Sequence, residues 1–528
     1  MIETLARISQ HFPELGLGSS SLDALSTLRS GAEPARYAAM SVFFSLALAV
    51  LALAVSAFAF GPMLAIPIAF LAFALAFLFF LRLPGMELGK RAAEIENEMP
   101  FFLRSTGMLI GMGIPFQRAL GIAAEDGGTL GQEMRHVDEE VRDGIGLQRA
   151  LSSFALSFGS LGVKRAVSQL LSAYEVGGGA VELRRIGDDL LALERHRMRE
   201  YAARNAMFGL LFMMSAAILP TFFLVYAVLG KFAFGAAVSQ AQVALGLLVV
   251  FPLISVLIAL LSKATMPRSA FCNNEGFDAR MLAPGAVFMA GFVLVPQLQL
   301  PALLLGTAIA AYLAYSCYTG ERRLEEIERQ LPDALFSVSG LPKSTRVERI
   351  FGIIEGGGHG AISEEAAKAR RQLAMNLKTD AVLEDFGNRN RSPMVWRACN
   401  MMKQMIATNS LDRLSALAED MIASFQLKRE RSQMFSMQKY TLMAGALLIP
   451  AILKTALKLL GSMGGLFGDG SAGATIAFAS SIVPPYLVIY ALISSAVIAD
   501  SEGRKSSAAL YFLGLAAASL LAFHFINL

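Results

Sequence analysis

The chain has 528 residues, 55% of them hydrophobic and only 17% charged, with a mean hydropathy of +0.53. Soluble domains carry about a quarter charged residues, so this composition excludes a cytosolic or secreted catalyst and a disordered scaffold. The net charge of +4 is small and gives no reason to expect nucleic-acid binding. Cys272, Cys317 and Cys399 stand far apart without CxxC spacing, which argues against both a zinc site and a disulfide framework.

Residues 1–36 contain Glu3, Glu14, Asp23 and Glu33 and lack the apolar core and small-residue cleavage site of a signal peptide, so they read as an N-terminal cytoplasmic helix. A membrane span needs about 20 mostly apolar residues. Nine stretches approach that length, at 37–60, 63–83, 206–229, 243–262, 281–297, 300–318, 440–460, 476–498 and 508–527. The fifth is short and interrupted by Pro284 and Pro296. Two polar segments, 84–205 and 319–439, hold most of the charge. The expected order is therefore 1–36, spans one and two over 37–83, a cytoplasmic domain over 84–205, spans three to six over 206–318, a second cytoplasmic domain over 319–439, and spans seven to nine over 440–528.

Lys and Arg accumulate on the cytoplasmic side of spans. Lys90 and Arg91, Arg195, Arg197, Arg199 and Arg204, Arg322 and Arg323, and Lys428, Arg429, Arg431 and Lys439 all flank the two polar segments. This places the N-terminus and both large segments in the cytoplasm and the C-terminus outside. Lys454 and Lys458 resist the pattern, lying four residues apart on one face of span seven toward the outside. Their stems snorkel to the outer interface or line a polar groove in the membrane.

The sequence also repeats itself. Glu98-Met99-Pro100-Phe101-Phe102-Leu103 resembles Gln330-Leu331-Pro332-Asp333-Ala334-Leu335, a shift of 232 positions from Pro100 to Pro332. The same shift aligns Lys90-Arg91 with Arg322-Arg323, Ala150–Phe154 with Val382–Phe386, Arg165 with Arg397 and Pro252 with Pro484. The repeating unit has two spans, a cytoplasmic domain and two more spans. An even number of crossings leaves both copies facing the same way, unlike the inverted repeats of transporters.

Each polar segment reads as a bundle of helices. In the first, apolar residues recur at helical spacing through Phe102, Leu109, Ile110, Ile114, Phe116 and Leu120. Gly111-Met112-Gly113-Ile114-Pro115 supplies a turn. Helices over Gly131–Asp143 and Leu147–Phe158 follow, then one ending at Glu175-Val176-Gly177, then an amphipathic helix from Ala180 toward Arg204. The second segment repeats this more loosely, with Glu355–Gly360 reading as a separate flexible loop. The fold class is an all-α polytopic membrane protein, with about nine transmembrane helices and two cytoplasmic six-helix bundles in a tandem parallel repeat.

Catalytic motifs are missing. Pro342-Lys343-Ser344-Thr345 has the lysine and serine of a phosphate loop without its glycines. His11, His136, His196, His359 and His524 never fall at HExxH spacing, and no GxSxG is present. The chain reads as a non-enzyme with no cofactor and no metal site. Asp138-Glu139-Glu140 forms an acidic cluster beside Arg135 and Arg142, either an exposed helix face or a surface for a basic partner. Glu175 ends a helix, where a carboxylate opposes the dipole, so it should have a partner or bind a cation.

Three blocks in order resemble the type II secretion system F domain: Glu98–Leu103 with Gly111–Leu120, then Val137–Leu151, then Leu170–Gly178. Pro100, Gly111, Gly113, Glu175 and Gly177 occupy its motif positions. Members are membrane platforms of type II secretion systems, type IV pili, Tad pili and archaella, and the duplicated nine-span layout looks more like the archaeal form. The resemblance implies a helical domain docking a hexameric secretion ATPase, and spans that help move pilin or archaellin subunits from the lipid bilayer into a filament. A homodimer beneath the six-fold motor is the expected assembly. Arg195, Arg197, Arg199, Arg204, Lys428, Arg429 and Arg431, with Asp138, Glu139 and Glu140, are the candidate ATPase contacts. The competing reading is a transporter or channel with regulatory cytoplasmic domains, but ionisable residues at mid-bilayer depth are almost confined to the two lysines.

Overall fold

The computed structural model of this chain describes residues 9–10, 12–13, 25, 33–60, 62–175, 179–234, 238–265, 299–343, 345–390, 392–466, 470–502 and 507–525. Among them the secondary structure is helical, with no strand. The chain divides into two compact units, one comprising Met1–Leu191 with Arg268–Ala270, the other Ala192–Pro267 with Phe271–Leu528.

In the first unit, α1 (Pro34–Phe60) lies against the first half of α2 (Pro62–Gly111). Tyr37, Met40 and Leu83 are buried there, and the Tyr37 hydroxyl donates to the Phe80 carbonyl at 3.2 Å. Helix α2 has 50 residues, so at about 1.5 Å per residue it is a rod of roughly 75 Å. Its second half packs with α3 (Phe116–Ala124), α4 (Gly128–Arg142), α6 (Leu161–Glu175) and the start of α7 (Ala180–Met213), while α5 (Leu147–Ser157) packs on α4 and α6. Phe101, Leu103, Leu109, Leu130, Leu151 and Val163 form the dry centre. These residues fall at helical spacing, which is why short amphipathic helices serve here: each buries one stripe and none needs to be stable alone.

Turn chemistry closes this bundle. Helix α2 ends in a reciprocal C-cap, with the Gly113 amide donating to Ile110 and the Ile114 amide to Leu109. Gly113 has φ +87°, a conformation that disfavours any side chain. At the start of α4 the Glu98 carboxylate accepts the amides of Thr129 and Leu130 at 3.1 and 2.7 Å, supplying acceptors that a helix N-terminus lacks.

In the second unit, α11 (Gln299–Val338) is followed by α12 (Val347–Gly356), α13 (Gly360–Ala374), α14 (Thr379–Asn390), α15 (Pro393–Ala407) and α16 (Leu414–Leu466). Shifted by 232, α4 and α6 coincide with α13 and α15 at both ends, and α3 and α5 agree with α12 and α14 to within one residue. The local contacts repeat too: Ser160 donates to Glu96 at 3.1 Å, and Ser392, 232 positions on, donates to Glu328 at 2.7 Å. Glu355–Gly360, expected to be a separate flexible loop, is instead the C-terminal turn of α12, a two-residue turn, the His359 cap and the first residue of α13. It is the counterpart of the turn between α3 and α4, and the run of glycines disguised it.

The apolar part of this unit comprises α7 from Ala192, a π-helical turn at Met214–Ile218, α8 (Leu219–Phe234), α9 (Gln240–Leu245), a second π-helical turn at Gly246–Val250, α10 (Phe251–Thr265), the later half of α16, α17 (Gly470–Glu502) and α18 (Ser507–Phe525). Phe212, Leu224, Leu247, Leu442, Ile449, Leu453, Val483 and Tyr486 are buried together at its centre. Among the described residues, five stretches are long and apolar enough to cross a membrane: Ala180–Val228, Gln240–Ser262, Leu411–Ser462, Ile476–Glu502 and Ala508–Phe525. They contain the fourth, seventh and eighth predicted spans and all but the end of the third and the ninth. The first, second and sixth fall in α1, α2 and α11, and the fifth lies outside the described residues. The divisions placed at 84, 319 and 440 fall inside α2, α11 and α16, which continue without a break.

Candidate docking surface

The basic stretch 195–204 occupies successive turns of α7, just before its apolar end. Here α7 runs beside α16 in the same direction. Arg195 pairs with Glu430 at 3.4 Å, the Tyr201 and Phe435 rings lie 5.5 Å apart, and Asn205 donates its amide hydrogen to Gln438. Tyr201 also donates to the Ser262 carbonyl at 3.0 Å, and Ser262 to Asn205 at 2.6 Å. This buried network joins α7, α10 and α16 at the edge of the apolar region, where an unpaired polar group would cost about 1–3 kcal/mol. Arg197, Arg199 and Arg204 point to the exposed side of α7.

On α16 the predicted residues separate by burial. Lys428 is ion-paired to the buried Glu328, and Arg431 is buried with its guanidinium 5.7 Å from the centre of the Phe435 ring. Arg429 is exposed. Arg195, Lys428 and Arg431 make the contacts just described, and Arg197, Arg199, Arg204 and Arg429 are exposed.

The acidic cluster lies on the C-terminal half of α4. Asp138 pairs with Arg142 at 2.6 Å and Glu139 with His136 at 3.0 Å, each one turn apart, while Glu140 is half-buried. Pro100 is buried within α2, Gly111 ends that helix and Gly113 makes its cap. The partner expected for Glu175 is Gln148, whose side-chain amide donates to it at 2.8 Å, a neutral donor. Gly177 lies outside the described residues. The Lys454 ammonium donates to the Phe523 and His524 carbonyls at 2.6 and 3.1 Å, capping the C-terminus of α18, where a cation meets the negative end of the helix dipole. Lys458, one turn on, is exposed.

Two features escaped the sequence reading. Glu94-Ile95-Glu96 recurs exactly as Glu326-Ile327-Glu328, and its acids face the N-terminal turns of later helices: Glu94 accepts from Thr129 at 2.9 Å, Glu96 from Ser160 and Glu328 from Ser392. Extending the repeat four residues upstream of Glu98 would have found it. The other is Lys439, which pairs with Glu502 and donates to Tyr511, both at 2.7 Å, joining α16, α17 and α18. No local pattern links residues 63 positions apart.

Residues 102–229 match the family model described as Type II secretion system (T2SS), protein F. The matched segment starts in α2, takes in α3 to α7 and ends within α8. No curated protein and no solved structure matches the chain. Over residues 102–229, which take in most of the first helical bundle and the apolar helix that prolongs it, this chain therefore carries a domain similar to type II secretion system protein F.

Proposed function

We propose that this chain is a non-catalytic platform in the inner (cytoplasmic) membrane. It docks a hexameric secretion ATPase and couples the motor's cycle to insertion of pilin-like subunits, in assembly of a type IV pilus-like filament, an archaellum or a type II secretion-like machine. The observation that carries this is the continuity of the matched domain with the apolar region: Ala180–Val228 is one helical stretch of 49 residues. A stiff helix of roughly 70 Å passes on a displacement that a flexible linker would absorb.

In this reading nine spans leave the N-terminus and both bundles in the cytoplasm and the C-terminus outside, with the chain laid out as the tandem repeat described above. Arg197, Arg199, Arg204 and Arg429 form the outward basic band nearest the membrane. Part of its charge serves anionic lipid headgroups, and part the motor.

The test combines detergent-purified full-length chain with the secretion ATPase of the same genome, recording association and ATP turnover. Association with altered turnover, weakened by reversing Arg197 and Arg199, supports the reading. No association with a folded, active ATPase refutes it, and solute flux in proteoliposomes lacking the ATPase would favour a transporter.

A further inference from the structure

The two bundles share a backbone plan but carry opposite charge at one equivalent helix end. Helices α4 and α13 coincide under the shift of 232, yet Asp138-Glu139-Glu140 meets Arg370-Arg371-Gln372. Over 138–143 there are four acids against one arginine, a net −3, whereas over 370–375 there are two arginines and no acid, a net +2.

Beside α13 the second bundle forms an open cleft of about 900 Å³, lined by Arg346, Arg349, Gly352, Ile353, Arg370 and Ala374 among others. Glu348 is the one acid among its lining residues, and Arg346, Arg349 and Arg370 are all exposed. Arg370 also pairs with Glu355 at 2.6 Å. Under the same shift the three arginines correspond to Ile114, Gln117 and Asp138, so the basic lining belongs to the second bundle alone. The chain leaves α13 through Met375 and Leu377, 73% and 49% exposed, and leaves α4 through Ile145, 38% exposed. Each face thus couples a charged helix end to an exposed apolar residue, with opposite charge on the two.

We propose that the basic cleft receives the acidic end of α4 from a second copy of this chain, so that two copies pair through charge-complementary faces of their two bundles. Complementarity on a shared scaffold favours the contact and disfavours like-with-like pairing of bundles, where equal charges would be opposed. A two-fold pair makes the contact twice. The proposal rests on the reading that both bundles lie on one side of the membrane. Its test is run in detergent without a motor, so failure there leaves the platform reading standing.

Two full-length variants decide it: one with Arg346→Glu and Arg349→Glu, the other with Asp138→Arg and Glu139→Arg. The association of wild type, of each variant alone and of their mixture is measured by mass photometry at low and high salt. Wild type should pair and weaken with salt, and each variant alone should lose about tenfold or more in affinity. The mixture should pair again, since each variant then meets a face of opposite charge, and that recovery rules out misfolding as the cause of the loss. A disulfide between Glu139→Cys on one tagged chain and Arg349→Cys on another, in a Cys272→Ser, Cys317→Ser background, should form between chains. Monomeric wild type, pairing that survives either reversal, no recovery in the mixture, or a disulfide formed only within one chain would each overturn the proposal. So would loss of ATPase binding, with pairing intact, in the Arg346→Glu, Arg349→Glu variant; that result would give the cleft to an acidic surface on the motor.

Discussion

Glu365 tests whether the second bundle is held by charge as well as by packing. Its side chain is 6% exposed, and three cations converge on it: Lys368 at 2.7 Å, Arg323 at 3.3 Å and Arg389 at 3.5 Å. These link α11, α13 and α14. Removing one partner of a fully buried pair costs about 3–5 kcal/mol. Here the cations are 44%, 51% and 29% exposed, so each recovers part of its hydration when the carboxylate goes. For Glu365→Gln, which keeps the shape and one acceptor, the expected loss is therefore about 2–3 kcal/mol. Hydrogen exchange of the full-length chain reads such a loss locally. Amides of residues 360–390 should exchange roughly 30 to 150 times faster at fixed pH. Glu364→Gln is the control: Glu364 is 68% exposed and shares Arg323 at 3.1 Å, so its loss should stay within about 0.5 kcal/mol. A change below about threefold for Glu365→Gln, or equal changes for both variants, would refute the argument that burial makes this carboxylate structural.

Two further outcomes follow from local geometry. Gly128 has φ +79°, and a Cβ there would lie 2.5 Å from the Glu98 carboxylate that caps α4, so Gly128→Ala should cost about 2 kcal/mol or more. Gly89→Ala, in the open middle of α2, should be neutral or stabilising by about 0.5–1 kcal/mol; equal melting temperatures for the two variants in detergent would count against the capping account. Cys399 is buried on α15, and burial pushes its thiol from 9.0 up to about 12. In a Cys272→Ser, Cys317→Ser background it should resist thiol reagents at pH 8 until the chain unfolds. Above about pH 9 the unfolded chain ionises this thiol while the folded chain keeps it protonated, so its contribution lowers stability between about pH 9 and 12. Prompt labelling of the folded protein would contradict its placement.

The paired bundles show how duplication leaves room for divergence. The positions kept in both copies act on the backbone. Ser160 and Ser392 each accept a backbone amide of the helix they precede, from Val163 and Val395, Gly128 and Gly360 each open a helix in a left-handed conformation, and Gly144 and Asn376 take the same turn with φ +95° and +60°. Asparagine tolerates that region because its short side chain bonds locally. Outward positions are free of this constraint, and there charge has reversed between the copies.

The sequence by itself determined the class of this protein. Long apolar runs, helical spacing of Phe102 to Leu120, the turn at Gly113 and the shift of 232 each depend on residues close in the chain or on direct comparison of two strings, so they survive without a fold. Tertiary structure decided which charges are available. Arg195 and Arg197 differ by two positions, yet one meets Glu430 and the other faces outward. Nothing near Lys454 in the sequence points to its acceptors, the carbonyls at the end of α18 about 70 residues away. A helix presents a new side chain every 100° or so. The burial of a given charge therefore depends on which neighbour occupies that direction, and long-range packing alone supplies the neighbour.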